Sequence, residues 1–210
     1  MGGIFLNIIL VRHGQSVADI EGKYEGRASF PLTELGYNQA ELAAKWLCEN
    51  FNIELLYSSP LIRAAQTAEI IGKKLNLKVV FEDGLMELDN GLVSGLLREE
   101  ANKKYPIPKG GFRPYEHFGK TGETLIVFRA RVESFWCEFI DKREEDNTKC
   151  VCIVAHGNMI STLYKCFLNL PISSEVHFTT GDTGIHSWQI EKGVKNIIFS
   201  NYLEHLKVLK

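Results

Sequence analysis

Short, unbroken apolar runs alternate with longer amphipathic stretches through most of this chain, and that alternation restricts its fold more than any other feature. Residues 7–11 (NIILV) and 150–155 (CVCIVA) lack the apolar–polar alternation of a half-exposed strand. Both read as strands covered on two faces. Residues 53–57 (IELLY) and 78–81 (KVVF) are shorter candidates, and two more strands are expected near 184–190 and 195–200. Between them lie helical segments. Thr33 is a plausible N-cap for a helix over 33–50 whose apolar stripe is read as Leu35, Leu42, Trp46 and Leu47. Ser59-Pro60 reads as an N-cap with a first-position proline, opening a helix to about Lys74. Leu125, Phe128, Val132, Phe135 and Phe139 alternate spacings of three and four, and a last helix is expected over 157–168.

Strands and helices alternating in this way imply an α/β fold: a three-layer sandwich with a mainly parallel central sheet flanked by helices. The closely spaced last two strands can add an antiparallel edge. Residues 105–119 (YPIPKGGFRPYEHFG) have no sustained period but many aromatics, as in an ordered loop. No linker or repeat divides the chain. It is read as one domain over 1–210, with 88–120 as a substrate-specificity or lid insertion.

The formal net charge of −2 gives no global basic field for nucleic acid or an anionic membrane. An anionic ligand would have to be held by locally gathered cations. The five cysteines include no CxxC pair. Cys150 and Cys152 fall on one face of a strand, where small buried hydrophobes in a reducing compartment are expected rather than a redox or metal pair. The N-terminal apolar run has no basic leader and is too short to span a bilayer, so a cytoplasmic location is expected.

Two segments share one local plan. LVRHGQS (10–16) and IVAHGNM (153–159) are each a buried strand, then His-Gly, then polar residues opening a helix or loop. In open α/β sheets, ligands bind beyond the carboxyl ends of the strands. His13 and His156 are expected there, with a glycine after each that allows close backbone approach. A helix N-terminus at the second site would favour an anion. Arg63, in the first turn of the helix after the strand at 53–57, points to the same edge. Arg12 and Arg63 offer two planar forks that match phosphate oxygens. Gln15, Ser16, Asp19 and Asn158 are candidate substrate contacts beside them.

With VRHGQS at 11–16, PLTELGYNQA at 31–40, SSPLIRAAQTA at 58–68, GET at 122–124 and VAHGNM at 154–159, the chain resembles the histidine phosphatase superfamily. That group includes the cofactor-dependent phosphoglycerate mutases. The resemblance implies that His13 is the nucleophile and that Arg12, Arg63 and His156 hold the phosphoryl oxygens. It also implies that Glu87, in GLMELDNG, is the proton donor; Glu82, Asp83 and Asp89 are nearby alternatives. No metal or cofactor is needed, because cationic and donor side chains take that place. The expected partner is a small phosphomonoester, with neither nucleic acid nor membrane; oligomeric state is not legible. His117 is expected near substrate, while His177, His186 and His205 read as structural or exposed.

Many family members carry Asn at the position of Asp19, where an amide can donate to phosphate. A carboxylate cannot donate. Asp19 is therefore expected either to pair with Lys23 or Arg27, or to face the non-phosphate part of the substrate. DIEGKYEGR (19–27) also differs from the mutase subgroup, whose chains are longer and carry further basic residues. The resemblance thus favours a phosphatase over two rivals: a mutase-type phosphotransferase, and a phospholigand-binding regulator without turnover.

Overall fold

The computed structural model describes residues 5–209. Six strands form one sheet in the order β3-β2-β4-β1-β5-β6: β1 (Phe5–Arg12), β2 (Leu55–Ser58), β3 (Val79–Phe81), β4 (Cys150–Ala155), β5 (Ile185–Glu191) and β6 (Val194–Tyr202). Pairing is parallel from β3 to β1 and antiparallel for β1–β5 and β5–β6. The antiparallel strand is thus β5, one place inside the edge. The helices are α1 (Val17–Glu21), α2 (Glu34–Asn50), α3 (Ile62–Leu75), α4 (Arg98–Lys104), α5 (Leu125–Asp146) and α6 (Gly157–Phe167).

The two-residue period of β1 divides the core. Leu6, Ile8 and Leu10 pack toward α5 and α6 with Phe128, Val132, Met159 and Leu163. Ile9 and Val11 pack toward α2 and α3 with Ala43, Leu47, Ala64 and Ile71. Because both faces are covered, β1 and β4 carry no polar alternation. Fully burying each Leu or Ile stabilises the fold by about 1.5–3 kcal/mol. Cys150 and Cys152 share the α2/α3 face, free and buried among aliphatic side chains. Burial pushes the Cys150 thiol up to about 11 and Cys152 higher still, so both stay protonated.

Two helix readings need correction. The buried face of α2 is Gly36, Gln39, Ala40, Ala43, Ala44 and Leu47, while Leu35 is exposed. Small residues face the sheet because the chain after β1 passes directly beneath the start of α2: a Cβ on Gly14 would lie 2.5 Å from the Gly36 carbonyl oxygen. Leu47 joins that buried face, whereas Trp46 lies to the side, stacked on Tyr202. The second correction concerns Ser59, which does not cap α3. That helix starts two residues beyond Pro60, its N-cap is Leu61, and no side chain bonds its first turn. By contrast Thr33 and Thr124 do cap α2 and α5.

Candidate active site

Strand register brings the two His-Gly motifs together. β1 and β4 are parallel neighbours with Arg12 opposite Ala155, so His13 and His156 leave adjacent strand ends side by side. Their ring centroids are 5.1 Å apart and both side chains are buried. β2 lies on the other side of β4 with Ser58 opposite Val154. The chain after it delivers Ser59 to His156 (Oγ to Nε2, 2.8 Å) and, one helical turn later, buried Arg63 to His13.

Hydrogen bonds define the state of His13. Its Nδ1 lies 2.8 Å from the Gly14 carbonyl, which only accepts, so Nδ1 carries the proton. Nε2 then presents a lone pair, which accepts from Arg63 Nε at 3.3 Å. Burial, then the charges of Arg63 and Arg12, hold the imidazole pKa well below its usual value and keep the ring neutral. His156 is depressed likewise, first by burial and then by Arg63. Its Nδ1 is buried and has no partner among the described residues, leaving that atom for a ligand.

The arginines are held by backbone and by carboxylates. Arg63 donates to the Gly26 and Ala28 carbonyls at 2.8 and 3.3 Å, and Glu25 Oε1 lies 3.3 Å from its Nε. Arg12 donates to the Thr180 carbonyl and faces Asp182 at 3.3 Å and Asp19 at 3.7 Å. The protein's own carboxylates therefore offset much of the buried positive charge.

Glu87 is buried, with Oε1 accepting from Leu88 N (2.8 Å) and Oε2 from Asn158 N (3.0 Å). Burial raises its pKa although both N–H bonds oppose the shift. The α6 N-terminus, expected to hold an anion, thus presents the Asn158 N–H to Glu87. Glu87, Glu25 and Asn158 line a cleft of about 480 Å³ with Tyr24, Phe112 and Phe118.

Other candidates lie differently. Gln15 accepts from Thr33 Oγ1 through its side chain, and Ser16 caps α1. Asp19 pairs with neither Lys23 nor Arg27, which bond Glu21 and Glu123. It completes the α1 capping box through the Ser16 N–H, 2.8 Å away. An N-terminal capping position three residues after Ser16 outcompetes more distant lysine and arginine partners. His117 bonds the Gly122 carbonyl and is not among the cleft-lining residues. His186 and His205 are buried and hydrogen-bonded. Of the two motif glycines, only Gly157 has open space where a Cβ would stand; Gly14 is required by packing.

Glu25, Ser59 and Asp182 were not among the sequence candidates. Ser59 lies within the SSPLIRAAQTA motif, but its partner is 97 residues away. Glu25 reaches the site only through the fold of the 19–27 segment. Among the described residues, no group of three or more His, Cys, Asp or Glu side chains could hold a metal ion, and no helix is long and apolar enough to cross a membrane.

A neutral imidazole whose Nε2 lone pair is engaged by Arg63, with a second arginine and a second histidine beside it at the strand ends of an α/β sheet, has the charge and the donors to receive a phosphoryl group. The chain belongs to the histidine phosphatase superfamily (branch 1), whose model matches residues 8–202. Phosphoserine phosphatase 1 of Hydrogenobacter thermophilus is 32% identical over 96% of this chain and 94% of its own. Among solved structures, mycobacterial glucosyl-3-phosphoglycerate phosphatase complexed with VO3 superposes with a TM-score of 0.82 at 25% identity, covering 94% of this chain and all (100%) of that one. A mutant phosphoserine phosphatase from Entamoeba histolytica in complex with phosphoserine gives 0.75 at 26% identity, covering 96% and 99%. These relatives support phosphatase activity.

Proposed function

We propose that this protein is a phosphomonoesterase that hydrolyses a small phosphorylated metabolite through a phosphohistidine on His13. The observation that carries the reading is the unprotonated Nε2 of a neutral, buried His13, held by Arg63 and beside Arg12 and His156. Nε2 attacks phosphorus as the ester P–O bond breaks. Glu87, whose pKa burial raises, gives its proton to the leaving oxygen. Water then attacks the phosphohistidine, Glu87 takes its proton, and the N–P bond breaks to release phosphate. The transition state spreads charge over three phosphoryl oxygens, so the arginines and His156 Nδ1 supply stabilisation without a metal.

Two relatives are named for phosphoserine, which makes O-phosphoserine the first substrate to assay within a panel of phosphorylated metabolites. The aromatic wall of Phe112 and Phe118 belongs to the 88–120 insertion and serves as the leaving-group side of the cleft. Phosphate release from at least one panel member, lost in His13→Ala, is expected. Wild-type protein that binds phosphomonoesters but releases no phosphate would favour a phospholigand-binding regulator instead.

A further inference from the structure

We infer that Glu25 is a specificity-determining residue: its carboxylate competes for the phosphoryl pocket and, once displaced, accepts a hydrogen bond from the leaving group. The inference rests on the reading of His13 and Arg63 as the phosphoryl site. Glu25 Oε1 lies 3.3 Å from Arg63 Nε and accepts from Ser16 Oγ at 2.5 Å, while Oε2 lies 3.8 Å from His13 Nε2. Attack requires phosphorus within about 3–3.5 Å of the same nitrogen. The single Arg63 Nε–H donates to His13 Nε2, and Glu25 Oε1 makes an ion-pair contact with the same nitrogen. A phosphoryl dianion and a carboxylate cannot both take this position without strong like-charge repulsion. Substrate entry therefore moves Glu25.

The backbone around Glu25 is clamped. Arg63 holds the Gly26 and Ala28 carbonyls, and Gly26 adopts a left-handed φ of +50° where a Cβ would meet Ser94 Oγ at 2.7 Å. Movement is accordingly a side-chain rotation, and Glu25 already forms part of the cleft wall. The other cleft carboxylates have partners. Glu87 accepts from Leu88 N and Asn158 N, Glu116 from Arg113 N, and Glu123 from Arg27, Arg131 and Asp89 N. Once phosphate takes Arg63, Glu25 is the carboxylate left to accept from a substrate hydroxyl or ammonium. A leaving group that carries such a donor offsets the lost ion pair; inorganic phosphate and aryl phosphates do not.

Glu25→Gln separates this role from simple support of Arg63. Calorimetry with inorganic phosphate should show at least fivefold tighter binding than wild type. The kcat/KM ratio of O-phosphoserine to p-nitrophenyl phosphate should fall at least tenfold. A folded variant with equal or weaker phosphate affinity overturns the competition, and an unchanged ratio overturns the recognition of a donor. Should the variant not fold, a crystal structure of wild type with phosphate decides: Glu25 withdrawn from both Arg63 and Ser16 supports the inference, and both contacts retained overturns it. The calorimetry needs no turnover, so an inactive wild type would contradict the proposed reaction without touching the phosphate comparison.

Discussion

Arg63 Nε lies 3.3 Å from His13 Nε2, so a buried cation donates into the lone pair proposed to attack phosphorus. The contact aims the lone pair, and burial first, then the charge of Arg63, keeps the ring unprotonated. Attack by His13 as proposed would require an entering phosphoryl group to take over the Arg63 N–H. Lysine cannot reproduce this arrangement.

Arg63→Lys keeps the charge but cannot hold His13 and the Gly26 and Ala28 carbonyls together. About 1–3 kcal/mol of stability should be lost, since buried carbonyls are left without donors. Activity on any phosphomonoester should fall about 100-fold, corresponding to ~2.7 kcal/mol of transition-state binding. Equal melting temperature and activity in the two proteins would show that the backbone clamp contributes nothing.

Glu87→Gln should impair alkyl phosphates far more than p-nitrophenyl phosphate, because only poor leaving groups need protonation as the bond breaks. Single-turnover rates of phosphorylation on both substrates are the check, and equal losses would remove Glu87 from the acid role. The raised pKa carries a further sign. Between the unfolded carboxyl pKa and the raised folded one, the folded protein binds more protons, so this group's contribution to stability declines as pH rises. The melting temperature of Glu87→Gln relative to wild type should therefore increase from acid toward neutral pH.

His186 and His205 are buried, and burial lowers both to about 4. Unfolded histidine takes up a proton near pH 6.5, so the unfolded chain binds more protons below that value. Each histidine should contribute a stability loss of about 1.4 kcal/mol per pH unit as pH falls from 6.5 toward 4. His186→Gln should flatten the decline in denaturant midpoint over that range. An unaltered slope would mean that His186 already titrates normally.

Phe112 and Phe118, with centroids 4.9 Å apart, line the cleft from the 105–119 segment, whereas Tyr115 is exposed. Phe112→Ala should shift relative kcat/KM among the phosphomonoester panel while changing the melting temperature by under about 3 °C, as for a loss near 1 kcal/mol. A uniform loss across the panel would assign the phenylalanine to the loop's own packing.

How much was legible follows from what sequence patterns encode. Continuous apolar runs located β1 and β4 because burial on both faces removes polar residues, and β4 next to β1 is why two distant His-Gly motifs share one site. The α2 stripe was legible at Leu47 and Trp46 but not at Leu35, because its closest packing uses glycine and alanine, which periodicity weighs lightly. The pairing of Asp19 with Lys23 or Arg27 fails because its nearest partner is a backbone N–H, invisible to charge pairing. Glu25 was missed because no spacing rule relates a carboxylate in an irregular segment to an arginine 38 residues later; only the turn at Gly26 brings them together.

The proposed reaction turns on a phosphohistidine at His13. Wild type quenched during turnover of a labelled phosphomonoester, digested without acid and analysed by mass spectrometry and phosphorus NMR, tests it directly. An acid-labile, base-stable phosphoryl group on His13, attached at Nε2, is expected, because Nδ1 donates to the Gly14 carbonyl. Phosphate bound at Nδ1, an adduct on another residue, or an unchanged turnover rate in His13→Ala would contradict it.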